Sequence, residues 1–243
     1  MQRPGPDILL IGGSAEARAL ADALVGRARV ILPGPERRVH DWPLPLLPEP
    51  LSRAALTGRG AGLRLIVDAS HPNDWQSAEI AASAAQILGV AHFRLERPAW
   101  RPGRRDRWVR LRDEAAAAQH VERGARVFLA TGREGLMRFA CLRDCYVISR
   151  QLSEHHDPFP LPRGRFLRGA SPFSVAGEVA LFRRLGIDWL ILRNAGGPGG
   201  WPKLEAARKL GLRVGMIDRP PRPAVTVVRD VAAAKARISE WLD

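Results

Sequence analysis

Short apolar segments alternate with helical ones along nearly the whole chain, and this alternation limits the fold more than any other feature. The first apolar run, residues 7–11, is followed by Gly12-Gly13-Ser14 and then by an alanine- and leucine-rich stretch, residues 15–25, with the spacing of an amphipathic helix. Strands that are joined by helices of this length pair in parallel and are covered by helices on both faces. The sequence therefore predicts an α/β protein built on mostly parallel sheets.

A break in this alternation divides the chain. Residues 97–103 (Arg-Pro-Ala-Trp-Arg-Pro-Gly) have the composition of a linker, and the alternation restarts after them. We therefore predict two Rossmann-like domains, residues 1–97 and 98–243, each a mostly parallel sheet flanked by helices. Folds of this kind bind ligands at the carboxyl ends of their strands, so we expect a ligand cleft between the two domains.

The chain carries a formal net charge of +13, and arginine supplies nearly all of its cations. Such a balance fits nucleic acid, an acidic membrane or a polyanionic small molecule. The arginines are dispersed, and no zinc-finger spacing, aromatic RNA-binding strand or helix-turn-helix accompanies them, so we predict no nucleic-acid partner. No apolar stretch approaches the roughly 18 residues of a membrane helix, so we predict no membrane partner. A site for an acidic small molecule is the better interpretation.

The cysteine usage and the N-terminus indicate a reducing compartment. The chain has only two cysteines, Cys141 and Cys145, which we expect to be buried thiols, and its first residues lack the character of a signal peptide. The predicted location is therefore the cytoplasm. The cluster His155-His156-Asp157 lies in a proline-rich loop, and we predict no metal site there or elsewhere.

Four of the loops that follow predicted strands combine glycine or small residues with polar side chains. Three of them are residues 12–16, residues 130–134 and residues 193–203, where four glycines fall within five positions. Glycine lets the backbone approach a phosphate, and the N–H groups at the start of the following helix favour an anion. The fourth loop, residues 68–72, places Asp, Ser and His at a strand end, where α/β proteins keep their ligands.

Each of these loops also has a purely structural interpretation. A glycine turn can simply allow close packing, and Asp68 and Ser70 can cap the next helix while His71 completes a turn. The complete G-x-G-x-x-G fingerprint is absent, as are the P-loop, the nucleophile elbow and the Tyr-x-x-x-Lys pair. Because a simple turn needs only one glycine, the loop at 193–203 favours a function in binding.

Taken together, these loops resemble those of the precorrin-6A reductase family of cobalamin biosynthesis. The resemblance runs from Ile8 to Pro220 in the family's order, and it rests on the segments 11–18, 68–72, 96–100, 130–133, 194–197, 203–208 and 216–220. The chain departs from the family's usual residues at Asn73, where an aromatic is common, and at Arg193 and Ala195, which flank Asn194. We expect these three departures to change contacts to the ligands more than the activity itself.

The resemblance implies an NADPH-dependent reduction of one double bond of the precorrin-6A macrocycle, which gives precorrin-6B. Two features of the sequence agree with it. A precorrin carries many carboxylates, which suit a basic site rich in arginine, and NADPH carries a pyrophosphate and a 2′-phosphate, which suit glycine loops and arginines. We expect the hydride to pass directly from the nicotinamide to the macrocycle. His71 is the candidate proton donor.

The predicted site residues follow from these loops. The predicted cofactor-binding residues are Gly12, Gly13, Ser14, Ala130, Thr131, Gly132, Arg133, Asn194, Gly196, Gly197 and Lys203. The predicted substrate-binding residues are Ser14, Arg18, Asp68, Ser70, His71 and Trp100. Which domain binds the pyrophosphate stays open. If the N-terminal domain binds NADPH in the usual Rossmann way, Arg37 and Arg38 would contact the 2′-phosphate. If the C-terminal domain binds it, Arg133 and Lys203 would contact the 2′-phosphate.

Two other functions stay open at this point. A two-domain α/β chain also fits a nucleotide-sugar transferase, which unlike a reductase should leave NADPH fluorescence unchanged. An arginine-rich nucleic-acid-binding protein is a weaker alternative, and it predicts DNA binding that falls steeply with salt. The sequence does not distinguish metal-free from cobalt-containing precorrin-6A as the substrate. We expect a monomer or a weak oligomer.

Overall fold

The chain folds into two compact units. The computed structural model describes residues 7–35, 41–58, 62–133, 135–152 and 156–242. Unit 1 consists of Met1–Pro98 together with Pro220–Asp243, and unit 2 consists of Ala99–Arg219. The first boundary lies one residue from the predicted one, because the prolines and glycine at residues 97–103 interrupt secondary structure as expected.

The assignment of residues 220–243 to the second domain was wrong. Strand β11 (Thr226–Val228) pairs in parallel with β4 (Ala91–Leu95), so it extends the sheet of unit 1. Helix α6 (Val231–Leu242) contributes Ala234 and Ile238 to the core of the same unit. Because this pairing joins segments far apart in the chain, no local pattern in the sequence reveals it.

Unit 1 is a five-stranded parallel sheet with helices around it. Its strands lie in the order β2-β1-β3-β4-β11. The remaining strands are β1 (Ile8–Ile11), β2 (Ala28–Ile31) and β3 (Leu65–Asp68). The remaining helices are α1 (Ala15–Ala21), α2 (Arg53–Thr57) and α3 (Trp75–Leu88), and a 3-10 turn, Asp22–Leu24, follows α1.

Unit 2 is a six-stranded parallel sheet in the order β8-β7-β6-β9-β10-β5. Its strands are β5 (Arg107–Leu111), β6 (Arg126–Leu129), β7 (Tyr146–Gln151), β8 (Gly164–Arg168), β9 (Trp189–Arg193) and β10 (Arg213–Ile217). Its helices are α4 (Val175–Leu185) and α5 (Trp201–Leu210), with 3-10 segments at Ala115–Gln119 and Leu136–Leu142. The described helices include none with the length and apolar character needed to cross a membrane.

The two 3-10 segments replace helices that the sequence pattern predicts at residues 113–122 and 134–142. Gly135 has a φ of +79°, and Phe139 leaves helical geometry while its ring is fully buried. Tertiary packing therefore overrides the helical pattern in the second segment. Cys145 is buried as predicted, but Cys141, on this irregular segment, is exposed.

Burial on both faces explains why the central strands are apolar throughout. In β1, Ile8 and Leu10 belong to one core cluster, and Leu9 and Ile11 belong to another. Alternate residues of a strand point to opposite faces, and a parallel sheet covered by helices on both faces needs apolar residues at every position. The predicted α/β class, with two parallel-sheet domains, is confirmed.

The strand order of each sheet creates a topological switch point, and the predicted loops lie at these two points. In unit 1, β1 is followed by β2 toward one edge of the sheet, and β3 is followed by β4 toward the other edge. The adjacent strands β1 and β3 therefore flank a topological switch point. In unit 2, β6 leads to β7 on one side and β9 leads to β10 on the other, so β6 and β9 flank a second switch point. Ligands of open α/β sheets bind beyond the carboxyl ends of the strands at such a point. All four predicted loops lie there.

Candidate functional site

In unit 1, Ser14 joins the loop after β1 to the loop after β3. Its hydroxyl donates a hydrogen bond to the carbonyl oxygen of Ala69 at 2.7 Å. The same oxygen accepts the N–H of Ala17 at 3.1 Å and so caps α1. Since the hydroxyl hydrogen and one lone pair are engaged, Ser14 holds the two loops of this switch point together.

The glycines before Ser14 allow a tight passage of the backbone. A Cβ on Gly12 would lie 2.6 Å from Cδ2 of Leu32 and 3.2 Å from the indole of Trp42. Gly13 has a φ of +118°, which side chains rarely tolerate. The guanidinium of Arg18 lies 5.7 Å from the centroid of the Trp42 ring. The first loop is thus a close-packed turn beside a paired aromatic and cationic side chain.

The predicted substrate contacts Asp68 and Ser70 lie inside the protein. Their exposed fractions are 0% and 1%. The carboxylate of Asp68 and the hydroxyl of Ser70 both accept hydrogen bonds from Arg94 in β4. This burial argues against direct contact with a substrate, because both side chains are used to shape the loop.

His71 is the titratable side chain of this loop that is not buried. Its Nδ1 accepts the backbone N–H of Asn73 at 3.2 Å. In a neutral imidazole one nitrogen accepts and the other carries the proton, so this bond puts the proton on Nε2. Asp74 then caps α3 by accepting the N–H of Ser77. The first residue of α3, Trp75, has an indole that is 52% exposed.

In unit 2, Trp100 and Asn194 shape the glycine-rich loop after β9. The Oδ1 of Asn194 accepts the backbone N–H of Trp100 at 2.8 Å, and its Nδ2 donates to the carbonyl of Trp100 at 3.1 Å. The indole N–H of Trp100 donates to the carbonyl of Gly197 at 2.9 Å. The indole also packs on Gly200, where a Cβ would lie 2.4 Å from it. Gly200 caps α5 without a side chain, so the first-turn N–H groups receive no side-chain acceptor from it.

Arg219 holds the same loop from its other side. Its Nε donates to the carbonyl of Asn194 at 2.8 Å, and its Nη2 donates to the carbonyl of Ala195 at 3.1 Å. Gly196 and Gly197 follow with φ values of +70° and +72°. Two consecutive residues in the left-handed region favour glycine strongly, because a side chain there costs about 1–2 kcal/mol per residue.

The loop after β6 lies beside the loop after β9. The N–H of Ala130 donates to the carbonyl of Ile191 in β9 at 2.9 Å. Arg193 donates to the carbonyl of Thr131 at 2.8 Å and to the carboxylate of Glu114 at 2.7 Å. Thr131 is 7% exposed, and its hydroxyl oxygen is buried without a hydrogen-bond partner among the described residues. A buried polar atom of this kind is costly unless a ligand satisfies it.

The rest of this loop is more exposed. Gly132 has a φ of +81°. The guanidinium of Arg133 forms an ion pair with the carboxylate of Asp157, and these side chains are 49% and 68% exposed. Such exposed pairs contribute little to stability, so a ligand anion can replace Asp157 as the partner of Arg133.

Lys203 lies in the first turn of α5 and faces a buried ion pair. The guanidinium of Arg150 lies between the rings of Phe128 and Phe173, at 4.8 Å and 4.2 Å from their centroids, and binds the carboxylate of Glu178. The ammonium of Lys203 lies 5.2 Å from the centroid of Phe173. Burial lowers the pKa of Lys203, with a further lowering by Arg150 and an opposing effect of Glu178.

Comparison with known proteins decides the family. The family described as precorrin-6x reductase CbiJ/CobK matches residues 7–239 of this chain. The chain belongs to this family. The precorrin-6A reductase of Rhodococcus erythropolis is 39% identical over 246 residues, which cover 94% of this chain and 96% of that protein. The precorrin-6A reductase of Rhodobacter capsulatus is 34% identical over 249 residues, which cover 97% and 95%. A solved structure described as CobK precorrin-6A reductase superposes with a TM-score of 0.88 at 32% identity and covers 96% of both chains.

For this member of the precorrin-6x reductase family, the resemblance stated from the sequence is confirmed. The structure adds residues that the sequence analysis did not assign to the site: Arg94 and Arg219 hold two of the loops from outside them, and the pair Arg150–Glu178 lies on the ring of Phe173, which Lys203 also faces. Arg219 lies in the segment 216–220 that carries the resemblance, but no local motif marks Arg94, Arg150 or Glu178, because each is one arginine or glutamate among many. Arg37 and Arg38, predicted as alternative partners of the 2′-phosphate, lie outside the described residues.

Proposed function

We propose that the chain is a precorrin-6A reductase that uses NADPH to reduce one double bond of precorrin-6A, giving precorrin-6B. The observation that carries the proposal is the switch point of unit 2, where the glycine loop after β6 lies beside β9 and the glycine loop after β9 leads into the amino end of α5. Rossmann folds bind the pyrophosphate of a dinucleotide with this arrangement. The substrate is the one in the names of the relatives. We further propose that the protein works in the cytoplasm as a monomer or a weak oligomer.

The residues of unit 2 fit NADPH better than those of unit 1. Thr131 offers a buried hydroxyl that has no partner within the described ranges, and Gly196 and Gly197 offer a backbone without side chains. Lys203 would hold a pyrophosphate oxygen, and Arg133 would exchange Asp157 for the 2′-phosphate. These assignments choose the C-terminal unit, of the two alternatives that the sequence left open, as the NADPH-binding unit.

The residues of unit 1 suit the macrocycle. The Nε2–H of His71 is a donor at the carboxyl edge of the sheet, and Trp75 offers an exposed aromatic face four residues further along the chain. Arg18, beside Trp42, offers a cation for a carboxylate of the macrocycle. NADPH would supply the hydride, and the Nε2–H of His71 would hydrogen-bond to the macrocycle and so orient the reduced bond. A water molecule beside His71 would supply the proton to the neighbouring carbon, while the surrounding loops would exclude other water.

The test of the function is a coupled observation of both reactants. Purified protein is mixed with NADPH and precorrin-6A, and the loss of NADPH absorbance is compared with the change in the spectrum of the macrocycle. We expect one NADPH oxidised for each precorrin-6A reduced, and no oxidation without the macrocycle. If NADPH is oxidised with cobalt-precorrin-6A but not with metal-free precorrin-6A, the substrate is the cobalt-containing macrocycle. The absence of NADPH binding in a fluorescence titration would overturn the proposal and favour the transferase.

Lys203 provides a prediction about pH. Because burial lowers its pKa, the amine of the free protein is neutral at an alkaline pH where an ordinary lysine is still charged. A phosphate oxygen next to the amine favours the charged form, so NADPH binding should take up a proton in the range between the lowered and the ordinary pKa. NADPH affinity should also fall as the pH rises through the lowered value.

The measurement is calorimetry of NADPH binding at alkaline pH in two buffers with different ionisation enthalpies. The matched variant is Lys203→Arg, which keeps the positive charge at all accessible pH values and should show no uptake from this position. Equal proton uptake by the wild type and the variant would exclude Lys203 as the phosphate ligand.

A further inference from the structure

We infer that Arg94 is a positioning residue that fixes the loop carrying His71, an assignment that rests on the proposed function of that loop. Arg94 lies near the end of β4, not in any of the glycine or polar loops, and its side chain is 2% exposed. It does not reach a ligand itself. Its effect on the reaction passes through the loop after β3.

Each nitrogen of the guanidinium is used in this contact. Its Nη1 donates to the hydroxyl of Ser70 at 3.0 Å and to the carboxylate of Asp68. Its Nη2 donates to the carbonyl of His71 at 3.1 Å, and its Nε donates to the carboxylate of Glu96 at 3.0 Å. One planar group thus binds three successive polar positions of the loop, which a single-nitrogen cation such as lysine does not reproduce.

The carboxylates of Asp68 and Glu96 neutralise the buried charge of Arg94. Asp68 also accepts the backbone N–H of Ser70 at 2.9 Å, so its two oxygens bind both the loop and the guanidinium. Glu96 accepts a second hydrogen bond at 3.2 Å from Arg222. A buried ion cluster often stabilises a fold less than apolar side chains of the same volume. The role of this ion cluster is therefore to fix the position of the loop after β3, more than to stabilise the fold.

The consequence for His71 is a fixed ring. Its carbonyl is held by Arg94 and its Nδ1 by the N–H of Asn73, so both the backbone carbonyl and the imidazole ring are restrained. This arrangement keeps the proton on Nε2 and keeps Nε2 in one place. Ser14 adds a third restraint through the carbonyl of Ala69.

The experiment compares Arg94→Lys with an exposed control, Arg110→Lys, whose arginine pairs with Asp218 at the surface of unit 2. Lysine keeps the buried charge but cannot hold Ser70, His71 and Glu96 together. We expect Arg94→Lys to lower kcat about 100-fold, the size of effect that misplacing a reacting group by about 1 Å produces. Its NADPH dissociation constant, read from fluorescence without the macrocycle, should stay within about two-fold of the wild type. Arg110→Lys should change neither.

A second readout needs no substrate. In nitrogen NMR spectra of the wild type, the ring of His71 should show the Nε2–H tautomer, and Arg94→Lys should show averaging of the two tautomers. Asp68→Asn, which keeps the size of the side chain and removes its charge, should shift kcat in the same direction if Arg94→Lys does not fold.

The inference is overturned if Arg94→Lys folds and keeps the wild-type kcat, because the charge alone then suffices. It is also overturned if kcat and NADPH affinity fall together, which indicates a general loss of structure. A wild-type protein that oxidises no NADPH with either macrocycle contradicts the proposed function instead, and the tautomer of His71 then still tests the role of Arg94.

Discussion

Replacement of both Gly196 and Gly197 by alanine is expected to weaken NADPH binding about 100-fold. The two residues have φ values of +70° and +72°, and each alanine in that region costs about 1–2 kcal/mol. In the free variant the loop is expected to leave this conformation, so NADPH binding has to restore it, and that cost is taken from the binding free energy at about 1.4 kcal/mol for each factor of ten. A fluorescence titration of the free protein with NADPH measures the change.

The matched control is Gly124→Ala. Gly124 also lies in unit 2 and has a φ of +81°, and apart from its chain neighbours no atom of the described part of the chain lies within 4 Å of an added Cβ. This variant carries the same kind of backbone strain at the opposite, amino end of β6, so it should lower the melting temperature and leave NADPH affinity unchanged. If the double variant of the loop behaves like Gly124→Ala in both measurements, the loop after β9 does not bind the coenzyme.

The second large effect is expected from Glu178→Ala, which should lower the free energy of unfolding by about 3–5 kcal/mol. Arg150 is 6% exposed and lies between two phenylalanine rings, so the loss of its carboxylate leaves a buried charge without a counter-ion. The energy of that uncompensated charge, more than the lost hydrogen bonds, sets the size of the effect. Urea unfolding followed by circular dichroism measures it.

The control for this prediction is the exposed pair of the same unit, Arg133–Asp157. Its side chains are 49% and 68% exposed, and Asp157→Ala should cost less than about 1 kcal/mol. Glu178→Gln keeps the shape and one acceptor, so it should fall between the two. A loss for Glu178→Ala no larger than for Asp157→Ala would show that water reaches Arg150 when the carboxylate is removed.

Local patterns predicted much of the fold. Apolar runs, glycine turns and helical spacing depend on neighbours in the chain, and they placed the strands that flank both switch points. The same patterns failed at residues 134–142, where packing of Phe139 breaks the helix, and at residues 220–243, where β11 returns to unit 1. Both failures involve contacts between segments distant in sequence, which carry no local signal.

The candidate site divides in the same way. The sequence predicted which loops lie at the ligand edge, but not which of their side chains are available. Asp68 and Ser70 were predicted as substrate contacts and lie buried against Arg94. Asn194 and Trp100 were predicted to contact ligands and bind each other. A side chain's partner depends on the distance and direction of atoms from other strands, and a sequence does not specify these one at a time.

Residue types in a fixed local order are enough to identify the family, the α/β class and the four loops. The arrangement of the loops as two pairs, one at each switch point, depends on strand order, which arises from pairing between remote segments and therefore requires the three-dimensional structure. The folded structure also shows that an arginine outside the loop holds each of two loops: buried Arg94 holds the loop after β3, and half-buried Arg219 holds the loop after β9. A buried guanidinium is stable only where carboxylates and carbonyls from several elements meet around it, and that meeting exists only in the folded chain.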